Sequence, residues 1–344
     1  MMAENKIIEE KIAQLETIFA KTQQLNEIIE DIEEAILVGK ASNYVSQPIS
    51  TLILGLSGVG KTSLMEHFKS KYPQTVHRDD EKEQDIIPIV STTLTDDKNP
   101  RAAPGKMLRD IGDPLKGEKG IRSVLGDRYV GLIKDLKTQC IFIDEFQHAF
   151  SVSNDNQKAG AADWIKNLIN QSKIPVVLFG MPWCLDIIKR SSELYNRFDN
   201  IHHIDTFGRE EESFAEWLEL LRQIDEQLPF DNKANLDDPQ FALRLMTLTG
   251  GNLSKLMKKV IKPAARKAIF SNENSLGVHR LLAAARKHLG VPEEYNPLSN
   301  NIAIDTLQVK HFLTEEEDTF FKDRKKTRVY FTLSDEADLS KVFR

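Results

Sequence analysis

Residues 51–62 read TLILGLSGVGKT, and few folds accommodate such a stretch. Apolar Leu52, Ile53 and Leu54 run into Gly55, and Gly60, Lys61 and Thr62 complete the phosphate-loop spacing G-x-x-x-x-G-K-[ST]. The order has a physical reason. Glycines let the backbone curl until successive N–H groups converge on phosphate oxygens, and the helix that follows adds the positive end of its dipole. The motif therefore needs a strand before it and a helix after it. The sequence predicts both: a strand over 52–56, and a helix over 62–71 with Leu64, Met65 and Phe68 on one face and Tyr72-Pro73 as its stop. Such a loop implies a nucleoside triphosphate held by Gly55, Ser57, Gly58, Val59, Gly60, Lys61, Thr62 and Ser63. Lys61 is expected on the β/γ-phosphates of ATP, and the Thr62 hydroxyl on Mg2+.

A second apolar run, Cys140-Ile141-Phe142-Ile143, ends in Asp144-Glu145. Carboxylates at the end of a strand that follows a phosphate loop match the Walker B arrangement. Asp144 is expected to hold Mg2+ through water, and Glu145 to orient and deprotonate an attacking water. Further buried strands are predicted over 86–90, 174–179 and 201–204, with Pro88 favouring an edge position for the first of these. Helices are predicted between them over 105–111, 121–137, 159–171 and 183–190. Strands and helices alternating at this spacing imply βαβ units with right-handed crossovers. The expected fold is α/β: a P-loop core with a five-stranded parallel sheet, a small α-helical lid domain and an N-terminal helical arm.

The arm comes from residues 4–38, where Ile8, Ile12, Leu15, Leu25, Ile28, Ile32 and Ile36 recur at helical steps with no Pro or Gly until Gly39. From residue 207 the strand pattern stops, and helices are predicted over 210–227, 239–248, 252–270 and 276–289. The resulting division is an arm at 1–45, a nucleotide-binding core at 46–206, a helical lid at 207–290 and an interaction tail at 291–344. That tail carries an acidic cluster over 314–318 and a basic one over 322–328. Two cysteines without metal-ligand spacing, Cys140 and Cys184, fit buried thiols in a reduced cytoplasm, and no run is long and apolar enough to span a membrane. The net charge of −6 excludes a globally basic nucleic-acid coat, so any duplex DNA site has to be a local patch. Residues 98–128 offer one, with Lys98, Arg101, Lys106, Arg109, Lys119 and Arg122 beside Gly/Pro-rich turns suited to tracking a phosphate backbone without reading bases.

Two roles remain to be assigned. Arg197, in Tyr195-Asn196-Arg197-Phe198, is placed to stabilise transition-state charge in a neighbouring subunit, with Arg190 in reserve. Lys255, just after Gly250-Gly251-Asn252, stands where a second phosphate sensor commonly sits. The position after the fourth strand of the core, where a small polar residue is expected, holds Gly180-Met181-Pro182 instead. With loop, Walker B and helical lid in place, the chain resembles the AAA+ ATPases of the TniB/TnsC transposition-regulator family. The similar pieces are the loop from Gly55 to Thr62, Ile143-Asp144-Glu145-Phe146-Gln147-His148, the run over 174–182, Asn196-Arg197-Phe198 and the turn over 249–255. Met181 departs from the threonine more usual in that family. The resemblance implies an ATP-dependent homo-oligomer, ring or filament, on duplex DNA. It also implies contacts with a target-selection protein and a transposase, ATP between subunits, and hydrolysis that resets the assembly in a prokaryotic cytoplasm. The same loop also serves replication-loader and secretion-linked AAA+ motors and small-molecule kinases. The helical lid and the Asp144-Glu145 pair speak against a kinase.

Overall fold

The stripe over residues 4–38 is two helices, α1 (Met2–Glu16) and α2 (Gln23–Ala41), where the sequence predicts one. The computed structural model describes residues 2–78, 83–97, 99, 101–150 and 155–307. The chain between the two helices leaves helical geometry, and two glutamines further along take up its backbone groups. Gln223 accepts from the Lys21 N–H (2.8 Å) and donates to the Lys21 carbonyl (3.0 Å). Gln227 does the same for Phe19, at 3.1 Å in both directions. A side-chain amide can replace a strand partner in this way, so a helix can end without Pro or Gly. The two helices also fall into different compact units. One unit comprises residues 25–57 and 61–204, the other residues 1–24, 58–60 and 205–344.

The first unit is built on β1 (Thr51–Gly55), followed by α3 (Lys61–Lys71), and then by β2 (Thr75–Arg78) and β3 (Glu83–Ile86). Next come β4 (Ile89–Thr93), α4 (Ala102–Asp110), α5 (Arg122–Asp135) and β5 (Cys140–Asp144). The unit closes with α6 (Asp155–Ser172), β6 (Val176–Gly180), α7 (Cys184–Lys189), α8 (Ser192–Tyr195) and β7 (Asn200–Ile204). Five strands form one parallel sheet in the order β4-β5-β6-β1-β7. The three central strands, β5, β6 and β1, are buried along their whole length, as parallel strands covered on both faces must be. Phe68, Phe142 and Phe179 stack edge to face through this core. The edge expected from Pro88 is there: β4 is terminal, and the Pro88 carbonyl accepts the N–H groups of Gln139 and Cys140. The β2–β3 antiparallel ribbon has no counterpart in the sequence reading. Its strands are mostly exposed and show no alternation that would mark them.

The second unit holds α1 together with α9 (Glu211–Gln227), α10 (Pro239–Thr249), α11 (Leu253–Lys255), α12 (Lys262–Phe270) and α13 (Val278–Leu289). A π-helical turn over Leu256–Ile261 joins α11 to α12. Leu15, Trp217, Leu221, Leu245, Ile261 and Leu281 share one apolar core. Packing continues past residue 290, where the sequence reading begins its tail. Val291 and Leu298 belong to the same core, and the Arg244 guanidinium binds the carbonyls of Pro297 (2.6 Å), Ser299 (3.1 Å) and Ile302 (2.9 Å). The charged clusters over 314–318 and 322–328 lie outside the described residues.

Candidate nucleotide site

The site begins where β1, hydrogen-bonded to β6 on one side and β7 on the other, runs out at Gly55. Gly58 (φ +83°) and Gly60 (φ +117°) occupy backbone regions that side chains oppose. Gly58 is constrained a second time: a Cβ there would lie 2.5 Å from the Asn252 side chain, and its carbonyl accepts the Ser254 N–H at 2.8 Å. Val59 is buried, while Ser57, Thr62 and Ser63 are exposed, the last two in the first turn of α3. Lys61 opens that helix and is 8% exposed. Its ammonium donates to the carbonyls of Gly55 and Leu56, the latter at 3.0 Å, and so stays at the mouth of the loop.

Asp144 ends β5 and is 6% exposed. Burial pushes its carboxyl above the usual carboxylate range, and so does the neighbouring Glu145 carboxylate. The Glu145 N–H bond (2.8 Å) and the charges of Lys61 and Lys69 pull the other way. Glu145 takes a left-handed backbone (φ +53°), costly for a non-glycine residue, which swings its side chain off the line of the strand. Its carboxylate accepts from Gln147 Nε2, with His148 Nε2 at 4.0 Å. Gln147 Oε1 in turn accepts from the Met181 N–H (3.4 Å) and faces the Cys184 thiol (3.9 Å). Gln147 thus joins the end of β5 to the end of β6, beside the buried thioether of Met181. Burial pushes the Cys184 thiol up to about 12 and leaves the Cys140 thiol protonated as well; both are free and buried.

These parts fit a triphosphate with a divalent cation. The loop glycines take the required backbone, the Lys61 ammonium stands at its mouth, and Asp144 offers a buried carboxylate at the end of β5. Among the described residues no group of three or more His, Cys, Asp or Glu could hold a metal ion.

Arg197 is elsewhere. It precedes β7, whose Asn200 pairs with Thr51 at the start of β1, whereas Lys61 follows the end of that strand. Five residues of strand, about 17 Å, separate the two edges. Arg197 has no ion-pair partner among the described residues, while Phe198 beside it is buried. Lys255 belongs to the second unit, its N–H bound to the capping Asn252 side chain at 3.0 Å. The proposed DNA patch is largely occupied with itself. Arg101 binds the Glu118 carbonyl, Arg109 the Lys116 carbonyl (3.5 Å), and Lys106 pairs with Asp110 at 2.9 Å. Arg122 is half-buried against a cavity that Met107, Tyr129 and Trp164 also line. Lys119 is exposed, and Lys98 lies outside the described residues.

The sequence model of the bacterial TniB protein family matches residues 11–206, more than half of the chain. The chain belongs to the TniB family. This TniB-family chain is similar in fold to archaeal AAA+ proteins. The Cdc6p structure from Pyrobaculum aerophilum superposes with TM-score 0.54 at 13% identity, covering 80% of this chain and 70% of that one. ORC2 of Aeropyrum pernix, solved as ADPNP-ADP complexes, gives 0.51 at 14%, covering 77% and 68%. ORC1 of the same organism, solved in complex with DNA, gives 0.50 at 13%, covering 78% and 65%. At such identities the likeness speaks for the fold: a P-loop AAA+ core with a parallel sheet and a helical unit. No curated protein sequence matches the chain. Among the described residues no helix is long and apolar enough to cross a membrane.

Proposed function

We propose that this TniB-family chain is an ATP-dependent regulator of DNA transposition. It assembles as a homo-oligomer on duplex DNA, through the phosphate backbone, and links a target-selection protein to a transposase. ATP hydrolysis resets the assembly. The family match supports the setting, and the DNA complex of the similarly folded ORC1 supports the substrate. Gly55, Ser57, Gly58, Val59, Gly60, Lys61, Thr62 and Ser63 hold the triphosphate, joined by Lys255, while Thr62 and Asp144 hold the cation. Mg2+-bound ATP supplies the phosphorus that water attacks and an anionic tail whose presence can be sensed. Glu145 takes the proton from that water, and Gln147 fixes where the Glu145 carboxylate points.

One observation carries the oligomeric part. Arg197, unpaired among the described residues, stands at the sheet edge opposite Lys61 and Asp144. An arginine there cannot reach its own site, but a head-to-tail neighbour can present it to the next. The test mixes two inactive variants. Glu145→Gln keeps Arg197 but lacks the base, and Arg197→Ala keeps the base but lacks the arginine. Random co-assembly leaves about one site in four with both groups, so mixing should restore about a quarter of wild-type turnover. A mixture as inactive as its components contradicts action in trans.

The alternative, a replication-loader type of AAA+ ATPase, draws on the ORC and Cdc6 likeness. It shares nucleotide and DNA and differs in the partner. ATP-dependent retention of the cognate transposase on DNA-bound protein supports transposition, and its absence favours the loader.

A further inference from the structure

One stretch of the helical unit carries a strong charge imbalance. From Lys255 to Lys287 the sequence has nine lysines and arginines and a single carboxylate, Glu273, in a chain whose net charge is −6. Residues 98–128, by contrast, set eight cations against four acids, and their guanidinium groups are largely spent on loop carbonyls. Within the helical unit Lys262 and Arg266 are held by Glu16, and Arg280 by Glu273. Lys258, Lys259, Lys267, Arg286 and Lys287 are exposed and have no acidic partner among the described residues.

Three observations place much of this charge on one surface. Helix α13 packs on both the π-helical turn and α12. The His288 imidazole is held below its usual range by partial desolvation and then by the charges of Lys287, Lys259 and Arg266. On the same helix Arg286 and Lys287 line a depression of about 520 Å3, together with His279, Leu282, Ala283, Glu293 and Asn296. Asn296 is fully buried, and its Nδ2 has no hydrogen-bond partner among the described residues. An unsatisfied amide donor beside two cations suits an anionic oxygen, and Glu293 is the one carboxylate of the lining to oppose it. Ala283 and Leu282 are the only apolar side chains of that lining, so charge rather than a large apolar anchor dominates it.

We infer that the helical unit has a nucleic-acid surface of its own, formed by Lys258, Lys259, Arg286 and Lys287 with Asn296 at its floor, that binds the phosphate backbone of duplex DNA. The contact is electrostatic and blind to sequence, because the groups involved are flexible cations rather than a fixed base-reading constellation. The inference rests on the reading that the chain binds duplex DNA, and it places part of that binding outside residues 98–128.

The experiment uses the full chain with a non-hydrolysable ATP analogue and two unrelated 30-bp duplexes, followed by fluorescence anisotropy across a salt series. Each phosphate contact contributes about 0.9 to the slope of log K against log salt. The combined variant Lys258→Ser, Lys259→Ser, Arg286→Ser, Lys287→Ser should lower that slope by roughly 2–4 and weaken binding at least tenfold on both duplexes. Replacing the same four positions so that each is arginine should keep the slope, whereas a merely structural role would not follow charge. A parallel variant, Arg101→Ala, Lys106→Ala, Arg109→Ala, separates the two claims. If wild type binds and only this second variant weakens it, the inference about the helical unit is overturned while DNA binding stands. If wild type ignores both duplexes, the DNA reading fails and takes the inference with it. Should the four-serine variant keep wild-type DNA binding yet lose affinity for a peptide copying residues 314–318, the surface serves an acidic segment and the inference is wrong.

Discussion

Glu145 is held by two constraints of different origin, a left-handed backbone and the Gln147 amide. The first turns the carboxylate away from the strand, and the second stops it from swinging. If Glu145 is the base, Gln147→Ala should lower kcat roughly 10- to 100-fold with KM little changed, because a base displaced by an ångström is a poor base. Turnover equal to wild type would remove Gln147 from the mechanism. Asp144→Asn should separate stability from activity. The buried carboxylate is destabilised by desolvation and by Glu145, while asparagine retains an acceptor for the Glu145 N–H. The variant should melt slightly above wild type without nucleotide and lose at least tenfold in Mg2+-dependent turnover, both measurable on one preparation. A lower melting point would contradict the cost assigned to that charge. The places of Lys61, Asp144 and Glu145 at the ends of β1 and β5 were legible in the sequence because each is marked by a few consecutive residues. Gln147 was not, since its link to Met181 exists only once β5 pairs with β6. Beside Met181, where a small polar residue is expected, the Gln147 amide reaches across to the Met181 N–H.

At the scale of elements, the strands of the main sheet were legible as short apolar runs between breakers, and the break between α1 and α2 was not. Nothing in residues 17–22 forbids a helix by propensity. The glutamines at 223 and 227 offer the backbone something better, and they lie some 200 residues along the chain. Removing both, by Gln223→Ala with Gln227→Ala, should take these hydrogen bonds from the part-buried turn, at about 1–3 kcal/mol for each backbone group left unsatisfied. Leu15, with no exposed surface in the core around Trp217, tests the same docking through packing. Leu15→Ala should cost about 2–5 kcal/mol in the unfolding of the helical unit, read by denaturant melts that follow Trp217 fluorescence. A cost near zero would mean that α1 is not part of that unit. The exposed β2–β3 ribbon escaped notice for the opposite reason: with no buried face, its residues carry no period to read.

Over the whole molecule, charge and the proposed catalytic groups are unevenly distributed. Arg197, proposed to act on transition-state charge, stands across the sheet from the phosphate loop, and residues 255–287 of the helical unit are strongly basic in a chain of net charge −6. Composition concealed the second fact, because a net charge averages a basic segment away. Both arrangements make sense if subunits join head to tail along DNA when the loop is filled. The most direct test is electron microscopy of the full chain with duplex DNA, with and without a non-hydrolysable ATP analogue, beside the Lys61→Ala variant. Rings or filaments are expected on DNA with wild type and analogue together, and none without nucleotide or with Lys61→Ala. Wild-type protein that stays monomeric and off the duplex whatever nucleotide is added would contradict this expectation.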